Sequence, residues 1–125
     1  METQNLWPDF AVEPVKSPKD ILKEQANHLI HKTNNVLSAE VETVDFPTRE
    51  IVHTFSIIAP ALSNYRYKLL AIEHGAFVYP VNISWANGNV EAKNQQQFID
   101  ILSNIFSEPE TVRVISSLLA QSLTE

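Results

Sequence analysis

The spacing of apolar and polar residues changes twice after the first helix begins, and each change marks a switch in the kind of element. From Pro18 to Thr33, the positions Leu22, Ala26, Leu29, Ile30 and Thr33 share one sector of a helical wheel, the pattern of an amphipathic helix lying on a core. The stretch "SPKD" supplies its start, with Ser17 as N-cap, Pro18 at the first helical position and Asp20 at the third. "TNN" ends it, so the pattern predicts a helix over about 18–33. Four runs with strand composition follow, at about 37–46, 50–59, 65–72 and 76–86, separated by "PTR", "PALSN" and "EHG". Connections this short imply an antiparallel meander. Asn87-Gly88 between alternating residues predicts a hairpin and a short fifth strand at about 89–92. The period then returns to that of a helix. Phe98, Leu102, Ile105 and Phe106 form one stripe behind a cap made by Asn94 and Gln97, and Val112, Ile115, Leu119 and Leu123 form another behind a capping box from Ser107 to Glu110.

Strand alternation assigns the faces of the sheet. "EHG" at 73–75 suits a three-residue hairpin loop with Gly75 in the left-handed region, which would pair Ala71 with Phe77 and Leu69 with Tyr79. In that register Tyr65, Tyr67, Leu69, Ala71, Phe77, Tyr79, Val81, Ile83 and Trp85 lie under the helices. The opposite face shows Ser38, Glu40, Glu42, Thr54, Ser56, Arg66, Lys68, Asn82 and Ser84, with an apolar group of Ile58, Leu70, Ile72 and Val78 among them. Grouped apolar residues on an open sheet face mark a contact surface. Ile58, Arg66, Lys68, Leu70, Ile72 and Val78 are therefore the candidate partner-binding residues. The alternative is a plain solvated face.

The predicted fold class is α+β: an N-terminal helix, a four- to five-stranded antiparallel meander and two C-terminal helices packed on one sheet face in two layers. Residues 1–17 carry Pro8 and Pro14 and are expected to form an extended arm, pinned down by Trp7 and Phe10, with one domain over residues 18–125. A length of 125 residues with 44% hydrophobic content suits one core without disulfides or a structural metal.

Composition excludes several classes of chemistry. The chain has no cysteine and two glycines, Gly75 and Gly88, which removes thiol nucleophiles, thiolate metal sites and the glycine-rich phosphate loops. The absence of cysteine fits a reducing cytoplasm. No basic region followed by an apolar run opens the chain, and no stretch is apolar enough to span a membrane, so the reading is a soluble, unprocessed protein with no membrane partner.

Fifteen acidic against nine basic residues give a net charge of −6. "SNYRYKLLAIEHG" interleaves Tyr65 and Tyr67 with Arg66 and Lys68, but alternation sends the rings and the cations to opposite faces, so they cannot grip one nucleotide. No nucleic-acid partner is expected. His28 and His31 stand at i, i+3 on the first helix, with spacing that would suit a metal, yet both fall off its apolar stripe and are expected in water. Glu73 and His74 adjoin in a turn and make a poor acid/base pair. The alternative to a contact surface is a small enzyme or ligand-binding protein with a pocket between the helices and the aromatic sheet face, lined by His53, Tyr67, Tyr79 and Trp85. No catalytic residue, metal site or cofactor is assigned.

In its length, its acidity and its amphipathic last helix the chain is similar to small acidic secretion chaperones and to bacterial immunity proteins, which work by binding another protein. It departs from the usual chaperone order, because no helix interrupts the strands. The expectation is a non-catalytic interaction module, adaptor-like, chaperone-like or immunity-protein-like, that binds a partner or a second copy of itself through the open sheet face.

Overall fold

A computed structural model describes residues 3–10, 15–46 and 50–124. Pro14 of the expected arm and the "PTR" connection lie outside the described residues. The elements run α1 (Pro18–Lys32), β1 (Ser38–Asp45), β2 (Ile51–Ala59), a 3-10 turn (Pro60–Leu62), β3 (Tyr65–His74), β4 (Val81–Trp85), β5 (Gly88–Ala92), α2 (Gln95–Phe106) and α3 (Pro109–Ser122). The five strands form one antiparallel sheet in sequence order, and the helices cover one of its faces.

Local chemistry sets the ends of these elements. The Ser17 hydroxyl accepts from the Asp20 amide at 3.1 Å, so one of the free donors of the first turn of α1 is satisfied. At the other end the buried Thr33 hydroxyl bonds to the carbonyls of Leu29 and Leu37, and Asn34 and Asn35 take left-handed φ values of 53° and 67°. Asparagine tolerates that region better than most residues. The chain thereby reverses into β1. At α2 the Asn94 carboxamide accepts from the Gln97 amide, while Gln97 accepts in turn from the amide of Lys93.

The core lies between sheet and helices. Leu22 and Ala26 of α1, Phe98, Leu102 and Ile105 of α2 and Leu118 of α3 close over Phe55, Ile57, Leu70, Ile72, Val81, Ile83 and Ala92. Phe55 stacks at an angle on Phe106, and Tyr79 meets the ring of Phe98 edge-on. Among the described residues no helix is long and apolar enough to cross a membrane.

Three expectations from the sequence are corrected. First, β3 is not evenly alternating. Phe55 pairs with Leu70 but the next residue, Ser56, pairs with Lys68, so Leu69 is the extra residue of a β-bulge. The bulge turns Leu70 and Ile72 inward, to 1% and 0% exposure, while Leu69 also stays in the core and Arg66 and Lys68 remain outside. Ala71, expected inside, pairs with Thr54 and Ser84 on the open face. Two adjacent leucines explain the device, since strict alternation would leave one of them in water.

Second, "EHG" is not a three-residue hairpin. β3 extends through His74, the loop runs over residues 75–80, and Leu70 pairs with Trp85 and Ile72 with Ile83. Pro80 has no amide hydrogen to give to a ladder, so β4 starts after it. Phe77, Val78 and Tyr79 therefore sit in the loop, and Gly75 does not have a positive φ.

Third, the N-cap of α3 is Glu108, not Ser107, and its side chain makes no capping bond. The carboxylate is used elsewhere, accepting from the Trp85 indole at 2.9 Å and from the Asn87 carboxamide at 2.6 Å.

Candidate functional site

The residues predicted to bind a partner do not form one patch. Ile58, Arg66 and Lys68 lie on the open sheet face, Leu70 and Ile72 on the core face, and Val78 in the β3–β4 loop. The open face is polar. Arg66 bonds to Glu40 at 2.7 Å and Glu42 at 3.0 Å, and the hydrogen bond it donates to Glu40 and the charge of both carboxylates raise its pKa further. Ile58 and Ser56 belong to this face but are buried. Their ladder neighbours include Arg66 and Lys68, whose long stems can cover apolar neighbours while the charges stay in water.

The four residues of the expected pocket are also separate. Tyr67 lines a groove with Tyr65 and α3, Tyr79 packs on Phe98 and donates to the Lys16 carbonyl, and Trp85 is bound to Glu108. His53 is at the far end of the sheet. Its Nδ1 is 2.9 Å from the Thr43 hydroxyl and its Nε2 is 3.1 Å from Nε2 of His74, whose Nδ1 lies 2.9 Å from the Gly75 carbonyl.

That chain of contacts fixes the neutral tautomers. Because a carbonyl can only accept, His74 carries its proton on Nδ1. Its Nε2 then accepts from Nε2–H of His53, whose Nδ1 accepts from Thr43. The pairing was not legible in the sequence, since the two histidines are far apart in the chain and only the extension of β3 through residue 74 brings them together. Among the described residues no group of three or more histidine, aspartate or glutamate side chains is placed to hold a metal. His28 and His31 are exposed on α1.

Exposed apolar side chains are concentrated outside the sheet face. Leu6, Trp7, Phe10 and Phe77 are each at least three-quarters exposed. Trp7 and Phe10, expected to pin the arm, instead touch one another, with ring centroids 6.1 Å apart. The arm joins the domain beside the β3–β4 loop: the Lys16 carbonyl accepts from Tyr79, and the Lys16 amide donates to Gln95. Val15, next in the chain, and Val78 add two more partly exposed apolar groups at this end. No cross-chain pattern in the sequence distinguishes an aromatic that anchors an arm from one that projects from it.

Two clefts of similar size flank α3 on the sheet. One, about 470 Å³, is bordered by Tyr65, Tyr67 and Arg113. The other, about 440 Å³, lies between α3 and α1. In comparisons with protein families, curated proteins and solved structures, the chain matches none.

Proposed function

We propose that this chain is a non-catalytic protein-binding domain, engaging a partner or a second copy of itself through the apolar side chains of its arm and β3–β4 loop. The observation that carries the reading is the exposure of Leu6, Trp7, Phe10 and Phe77, in a chain whose other aromatic rings are mostly packed or bonded. Large exposed apolar groups mark interaction surfaces, and aromatic rings are enriched at the centres of such surfaces. The open sheet face is polar and no longer includes Leu70 and Ile72. An adaptor, a chaperone or an immunity protein would each work in this way, by binding without chemistry.

The test is a direct affinity measurement with the partner recovered from the native host, or sedimentation if the partner is a second copy. Truncating an aromatic anchor typically costs about 2 kcal/mol or more of binding, which is about thirtyfold in affinity. Trp7→Ala, Phe10→Ala and Phe77→Ala together should therefore release the partner while leaving the fold intact. Full affinity in this triple variant, with loss in Arg66→Glu, would return the contact surface to the sheet.

A further inference from the structure

We propose that the cleft between α1 and α3 binds an amphipathic carboxylate, with its apolar body on the sheet and its anionic head at Lys32. The inference is independent of the protein-binding surface, which lies on other residues. The floor of the cleft is Phe55, Ile57 and Leu69, and its α3 wall is Ile115 and Leu119. Leu69 is the bulge residue, so the irregularity that turned Leu70 inward also adds a second leucine to the helix side of the sheet. α3 is held by buried Thr111 and Leu118, and the Thr111 hydroxyl donates to the Ile105 carbonyl at 2.7 Å. The space left beside it, about 440 Å³, falls within the roughly 300–1,000 Å³ of small-molecule sites.

The rim gives the ligand its polarity. Gln25, His28 and Lys32 stand on successive turns of α1 along the cleft, and among the described residues no acidic side chain lines it. The chain as a whole has a net charge of −6, whereas the charged group that lines this cleft is a cation. Lys32 takes part in none of the ion pairs among the described residues. The carbonyls at the end of α1 do not occupy it either: that of Leu29 accepts from the Thr33 amide and hydroxyl, and that of Ile30 from the Asn35 amide. An apolar trough with one unengaged ammonium at its mouth selects a molecule with an apolar body and a single negative end.

Calorimetric titration of the full chain with decanoate, decanol and decyltrimethylammonium, each below the concentration at which it forms micelles, tests this. Decanoate should saturate one site, decanol should bind more weakly and the cation not at all. Lys32→Glu should weaken decanoate by about fivefold or more, the upper range for an exposed ion pair, and leave decanol unchanged. Ile115→Trp, which fills the trough, should remove both. The proposal is overturned if decanoate shows no saturable binding or if Lys32→Glu keeps the parental affinity. It is also overturned if binding is lost in Trp7→Ala with Phe10→Ala, which would place the ligand on the arm. Should Ile115→Trp fail to fold, Lys32→Glu, on the exposed side of α1, still decides.

Discussion

Phe55 of β2 stands opposite Leu70 of β3, and one step along the ladder the partner number drops by two, so that both residues of this pair face the helices. Substitutions along β3 should follow the bulge and not simple alternation. Leu70→Asp and Leu69→Asp should both prevent folding or cost more than about 4 kcal/mol, because each places a carboxylate in the core. Ala71→Asp, on the open face, should cost less than about 1 kcal/mol. Urea denaturation of the three variants checks this, and a stable Leu70→Asp would contradict the register.

Much of the fold was legible because it rests on local signals. Ser17 before Pro18, Asn94 before Gln97 and the stripe of Phe98, Leu102 and Ile105 each specify a helix from neighbouring residues alone. What was not legible depends on long-range fit. Alternation puts Leu70 on whichever face Arg66 takes, and only the packing of the adjacent leucines shows that a bulge separates them. One misplaced register then carried Ile72 to the wrong face and drew Phe77 and Tyr79 into a strand. Pro80 was the local signal against that strand.

The histidines should divide sharply by position. His31→Ala should change stability by less than about 0.5 kcal/mol, since the side chain is in water. His53→Ala should cost about 1–3 kcal/mol, because it opens a buried site and leaves the Thr43 hydroxyl and His74 without their bond to it. Thermal melts of the two variants side by side give the comparison.

Glu108 should matter more to stability than a helix-cap position without a capping bond suggests. Glu108→Ala removes a charged acceptor from the Trp85 indole and from Asn87, and a hydrogen bond to a charged group is worth about 1.5–3 kcal/mol. Glu108→Gln should retain part of that stability, because its carbonyl oxygen still accepts. Chemical denaturation would show the order parent, Gln variant, Ala variant.

Acid should relieve one strained pair. A shared hydrogen bond with Glu50, then partial burial and the charge of Glu50, raise the pKa of the Glu73 carboxyl above its ordinary value. A carboxyl raised in the folded state holds more protons there than in the unfolded chain, so its contribution to stability falls as pH rises from the ordinary value through the raised one. Glu73→Gln should therefore melt above the parent at neutral pH, with the gap closing at about pH 3, below the ordinary carboxylate range. A gap that widens in acid would reverse the sign.

Nucleic acid should not bind. Arg66 is committed to Glu40 and Glu42, and Lys68 projects on the face opposite Tyr67. Fluorescence polarization at low salt, where phosphate attraction is strongest, should show no saturable binding of single-stranded RNA or DNA. Micromolar binding that disappears in Arg66→Glu with Lys68→Glu would overturn this.

The two tryptophans of the chain occupy opposite surroundings. Trp7 is three-quarters exposed, whereas the Trp85 indole is half-buried and tied to a carboxylate at the start of α3. Their emission therefore separates into a red component from the arm and a bluer one from the end of β4, beside the start of α3. Trp7→Phe leaves a single fluorophore whose colour reports whether α3 is seated, and Trp85→Phe leaves one that reports only what covers the arm.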